Sequence, residues 1–239
     1  MENSFDSFDN PSNRILVAHS TDVERVAFYK KTYAHVAGGV LLFVLFEYFL
    51  LQSTAVVSFM MSMMQGYKML LLLGGFMLIT NYAESTALRT TDKNLQYMAY
   101  AGYVFAEALF FVPLVYMAAV YTQGFEIFQQ AGIVTLTLFA GLSAVVILTK
   151  KDFSFLRSAL TIGFFIAMGL ILAGILFGFN LGLWFSVGMC ALAGGSILYQ
   201  TSNLVHRFTT EDYIPAAIGL FASLMLLFWY ILRIFMSRD

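Results

Sequence analysis

The feature that most limits this chain is a succession of seven long apolar runs separated by short polar breaks. They extend from about Tyr33 to Leu51, Met69 to Ala87, Tyr97 to Tyr121, Ile127 to Leu148, Ser158 to Phe179, Leu181 to Tyr199 and Ile214 to Met236. A helix needs about 20 apolar residues to cross a bilayer, and each run is close to that length. Charged residues make up 11% of the chain, against roughly twice that in soluble domains. The expected fold is an all-α membrane protein with seven transmembrane helices in one domain, residues 21–239. Ala55 to Met64 is also apolar but too short to span, so it either extends the first helix or lies on the surface.

The N-terminal part is different in kind. Met1 to Arg14 is polar, and residues 1–20 read as a disordered tail. The first residues are acidic and polar, unlike a cleavable signal peptide, so the first spanning helix is expected to be its own insertion signal. Thr21 with Glu24 three residues on fits a capping box. Counting Lys and Arg for seven spans places ten on the N-terminal side of the membrane and three on the other. Basic loops favour the cytoplasm, so the N-terminus is expected there. Arg233 and Arg238 dissent from that count unless the last helix re-enters. The net charge of −1 and the lack of a basic cluster give no indication of nucleic-acid binding. The single cysteine, Cys190, cannot form an intramolecular disulfide.

Polar groups within the apolar runs are the candidates for chemistry. Glu107 is the most interior, ten residues into its run. A carboxylate there must be neutral, paired or in contact with water, because a bare buried charge costs several kcal/mol. Glu47 lies four residues from the end of its run and is expected to snorkel to the interface. Glu84 precedes Arg89 by five residues, a spacing that allows a weak local ion pair. His35 reads as a hydrogen-bonded structural group and His206 as a solvated residue of the sixth loop. Gln200, Thr201, Ser202 and Asn203 form one helical turn of uncharged hydrogen-bonding groups, either facing other helices or marking a helix end. Small residues at spacing four, Gly163 with Ala167, Gly169 with Ala173 and Gly174 with Gly178, are packing signals, and Gly194 with Gly195 adds another.

Catalytic constellations are weak. There is no HExxH, and no aspartate lies inside an apolar run. Gly141-Leu142-Ser143-Ala144 is a superficial match to a serine intramembrane protease, with no histidine following in an apolar run. Neither an enzyme, a metal site nor a cofactor is expected.

The stretch Ile197 to Pro215, ILYQTSNLVHRFTTEDYIP, resembles the signature of the Bax inhibitor-1 (TMBIM) family. Lys151-Asp152-Phe153-Ser154-Phe155-Leu156, Thr201-Ser202-Asn203 with His206, Tyr213-Ile214 and the ending Met236-Ser237-Arg238-Asp239 look most like the bacterial YccA-like branch, associated with the FtsH protease. The resemblance implies seven helices with the last one central. In calcium-leak members, two aspartates in the last two helices form a proton-sensitive pair. The matching positions here are Gln200 and Ser223, neither of them acidic, and the family's basic residue in the second helix matches Arg89.

Two functions follow as expectations. The first is a non-enzymatic inner-membrane modulator whose partner is an FtsH-type protease complex. The alternative is a calcium or proton leak using Glu107 and Glu47. Losing both acids at Gln200 and Ser223 removes the pair that would act as a pH switch and favours the first.

Overall fold

A computed structural model describes residues 15–121 and 125–237. Among them are eight α-helices: α1 Asp22–Gln52, α2 Thr54–Met63, α3 Lys68–Arg89, α4 Lys93–Tyr121, α5 Phe125–Thr149, α6 Leu156–Phe177, α7 Gly182–His206 and α8 Tyr213–Met236. Six of these are long and apolar enough to cross a membrane, and the bent pair α2–α3 makes a seventh span if counted as one. The expected all-α membrane bundle is therefore what the chain forms.

The short apolar stretch after the first run becomes α2, a helix of its own bent 106° from α3. The bend falls at Gly66, whose φ of +54° lies in the left-handed region that favours glycine. Ser53 starts α2, its hydroxyl accepting from Val56 N–H at 3.4 Å. At the start of α1 the expected capping box is present: Thr21 Oγ1 accepts from Glu24 N–H, and the Glu24 carboxylate accepts from Thr21 N–H.

Two boundaries move in ways that matter for function. The sixth run continues as helix through Gln200–Asn203 to His206. Hence Gln200 to Asn203 are interior helical residues, and His206 is the last residue of α7 instead of a loop residue. Gly178 is the left-handed cap of α6, at φ +72°, its N–H bonding the carbonyl of Gly174. The Gly174–Gly178 spacing is thus a helix end and not a packing face.

Helix α8 is the centre of the bundle. It is buried along most of its length and packs against α1, α3, α4, α5 and α7. Its apolar residues can face protein on all sides, as the implied central last helix requires. Pro215 sits in its first turn, where no intrahelical N–H is needed. Helix α6, by contrast, packs substantially only against α7.

The tail enters the bundle sooner than its polarity implies. Residues 1–14 lie outside the described residues, but Ile15–Ser20 form a packed strap over the α7–α8 connection. Val17 is fully buried, and its N–H donates to the Phe208 carbonyl at 3.0 Å. Thr210 N–H donates to the Ile15 carbonyl at 3.1 Å. The Arg25 guanidinium closes the strap by donating to the carbonyls of Val17 and Ser20.

Candidate functional site: a polar belt on α7 and a carboxyl cavity

Two separate polar centres emerge. The first runs along α7. Gln200 lies over Gly219 of α8, where an added Cβ would stand 2.9 Å from the Gln200 carboxamide. The absence of a side chain at Gly219 is what admits Gln200 between the helices. No hydrogen bond joins Ser223 to Gln200. Its Oγ lies 2.8 Å from Ser196 Oγ and donates to the Gly219 carbonyl at 2.9 Å. These two positions act as helix-to-helix contacts between α7 and α8.

The next residue, Thr201, is fully buried and stands with Ser143 of α5 beside the Tyr33 hydroxyl of α1. Ser143, the serine of the weak protease match, therefore faces a tyrosine and a threonine. Ser202 Oγ accepts from Phe153 N–H at 2.9 Å and donates to Asp152 Oδ1 at 3.2 Å, tying the α5–α6 loop to α7. Asp152 also accepts from Ser154 N–H at 2.8 Å. That backbone bond, with help from the Ser154 and Ser202 hydroxyls and nearby His206, holds its carboxyl below the usual carboxylate range. His206 Nε2 and Asn203 Oδ1 are buried without a hydrogen-bond partner. His206 is accordingly half-buried beside Asp152, not a solvated group. Tyr33 and Ser143 were invisible as neighbours of Thr201 because α1 and α5 are far from α7 in sequence.

The second centre is a cavity of about 490 Å³ among α3, α4, α6, α7 and α8. Glu107 lines it and is 6% exposed. Its polar neighbour is Tyr103, one turn earlier on α4, and Glu84 of α3 is close enough to Tyr103 to act on it electrostatically. Glu84 makes no ion pair with Arg89, which is exposed in the last turn of α3. Glu47 does not snorkel: it is 5% exposed, and both carboxyl oxygens lack a hydrogen-bond partner. It faces inward because it shares a helical face with Phe43 and Gly39, both packed on neighbouring helices. His35, as expected, is structural: Nδ1–H donates to the Lys31 carbonyl at 2.6 Å, and Nε2 is 3.0 Å from the Tyr97 hydroxyl.

The sequence itself has counterparts in known proteins. A family model described as inhibitor of apoptosis-promoting Bax1 matches residues 25–239. The chain belongs to the Bax inhibitor-1 family.

Within the Bax inhibitor-1 family, similar proteins come from distant organisms. An uncharacterized protein of Pseudomonas aeruginosa is 37% identical over 52% of this chain and 55% of its own. The modulator of FtsH protease YccA of Escherichia coli K12 is 36% identical over 44% of this chain and 49% of its own. Protein lifeguard 4 of Mus musculus is 34% identical over 44% of each chain. The matched stretch is about half the length of these relatives. Among the described residues, no group of three or more His, Cys, Asp or Glu is placed to hold a metal ion.

Proposed function

We propose that this multi-pass membrane protein of the Bax inhibitor-1 family is a non-enzymatic modulator of a membrane-bound, ATP-dependent protease of the FtsH type. It would act in a bacterial inner membrane with its N-terminus in the cytoplasm. The observation that carries the reading is the similarity to the Escherichia coli protein named as a modulator of FtsH protease. The uncharged pair Gln200 and Ser223 supports it, since both side chains serve helix packing and neither offers a carboxylate to a cation. The cytoplasmic N-terminus rests on the ten-to-three asymmetry of basic residues. In this reading residues 1–20 are the tail, its last six residues strapped onto the α7–α8 connection, and 21–239 the single membrane domain. Affinity purification from native membranes, after crosslinking, should recover the FtsH-type protease or its membrane partners. Recovery of neither from membranes that contain both contradicts the proposal.

A second reading, a calcium or proton leak, is favoured by one observation: the buried Glu107 carboxyl lines a cavity. Its test is flux of each ion into liposomes with the protein and with Glu107→Gln. Flux equal to that of protein-free liposomes ends it.

A further inference from the structure

The cavity that bears on the ion-leak reading through Glu107 also has an apolar and aromatic lining that neither reading draws on. Helix α6 forms one wall but makes no substantial packing contact with α3, so the cavity opens sideways between them. Met77 of α3 and Phe164 of α6, on either side of that gap, are 40% and 42% exposed although both line the cavity. In a bilayer this opening faces acyl chains, not water. The interior walls include Phe110, Phe111 and Trp229, with ring centroids 4.9 Å apart for Phe110–Trp229 and 4.8 Å for Phe111–Trp229. Glu107 sits midway along the 29-residue α4, about 20 Å from either end at 1.5 Å per residue.

We propose that this cavity is a binding site for a hydrophobic amine or other lipophilic cation, entering from the bilayer between α3 and α6, with Glu107 as counter-ion and the Phe110–Phe111–Trp229 cluster as its aromatic wall. A buried carboxylate is unfavourable unless a cation accompanies it, and no cationic side chain is placed to act on Glu107 among the described residues. Arg233 also lines the cavity, but in the last turn of α8 at its end. Aromatic faces attract cations, more strongly when desolvated. An aliphatic tail matches the remaining apolar lining. A phospholipid anion is the less suitable guest, because its tail would have to lie against the Glu107 carboxyl.

The test uses the full chain in nanodiscs of zwitterionic lipid. The protein has two tryptophans, and Trp184 is 85% exposed, so Trp184→Phe leaves Trp229 as the cavity reporter. Dodecylamine and dodecanol are titrated, each corrected for partition into protein-free nanodiscs. The expected result is a saturable Trp229 fluorescence change at least about tenfold tighter for the amine, a 1.4 kcal/mol difference, with the preference lost in Glu107→Gln. Equal affinities for amine and alcohol overturn the proposal, as does a preference that survives Glu107→Gln. Should that variant fail to fold, Met168→Trp in the Trp184→Phe background, which fills the cavity from α6, replaces it, with binding followed by radiolabelled dodecylamine. Loss of the amine-specific binding then supports the site and its retention overturns it.

Discussion

Two adjacent glycines in α1 are predicted to respond to alanine with opposite signs. Gly39 lies where α1, α4 and α8 meet. An added Cβ would overlap the Tyr100 hydroxyl and stand 2.9 Å from Tyr100 Cζ and 3.2 Å from Phe221 Cδ2. Gly38 has nothing within 4 Å of the same addition. Overpacking costs about 1–3 kcal/mol. Displacing Tyr100 also breaks its 2.7 Å hydrogen bond to the His35 carbonyl, worth about 1 kcal/mol, or up to about 3 if the carbonyl is left unsatisfied. Alanine returns about 1 kcal/mol of helix propensity at either site. Gly39→Ala should therefore destabilise by about 1–5 kcal/mol, and Gly38→Ala should stabilise by up to about 1. At about 2–4 °C per kcal/mol, a mid-range loss of about 3 lowers Tm by about 6–12 °C. Thermal unfolding in one detergent, followed by intrinsic fluorescence, measures both. A Tyr100→Phe background, which removes the nearest atom, should shrink the Gly39→Ala penalty by about 0.5–3 kcal/mol. Equal melting of the two alanine variants would refute the placement of α1 against α4 and α8.

Two further outcomes are expected. Val17→Asp puts an unpaired charge at the buried anchor of the N-terminal strap, so amide exchange at Val17 and Thr210 should accelerate more than about tenfold while α8 keeps its protection; unchanged exchange contradicts the strap. Asp152 has a depressed carboxyl pKa, so its stabilisation is present above the ordinary carboxylate range and lost as pH falls through the folded value. Asp152→Asn should lower Tm at pH 7, and the gap should narrow below about pH 4; a gap constant with pH would show that the loop is held without the charge.

Much of the architecture was legible because bilayer thickness fixes helix length, and six of the seven expected runs are helices that can span alone. The capping box was equally readable, since its geometry is local. The bend at Gly66 was not, because an apolar run carries no information about direction. Glu47 was misjudged for a related reason: distance from a run's end describes depth, whereas burial depends on which helical face meets α4. Small-residue spacing found Gly163, where a Cβ would meet Leu192, but also indicated Gly169, which faces open space. It passed over Gly39 and Gly219, the close approaches that fix α1 and α7 against the centre. The polar belt was half visible: Gln200 to Asn203 stand together in sequence, while Tyr33 and Ser143 join them only through folding.

The central claim, modulation of an FtsH-type protease, is tested most directly by the lifetime of a membrane substrate of that protease, followed by pulse-chase in cells lacking or overproducing this protein. The account predicts that overproduction lengthens the substrate's half-life at constant protease level and that deletion shortens it. Identical half-lives in all strains, with the protein inserted and folded, would contradict it.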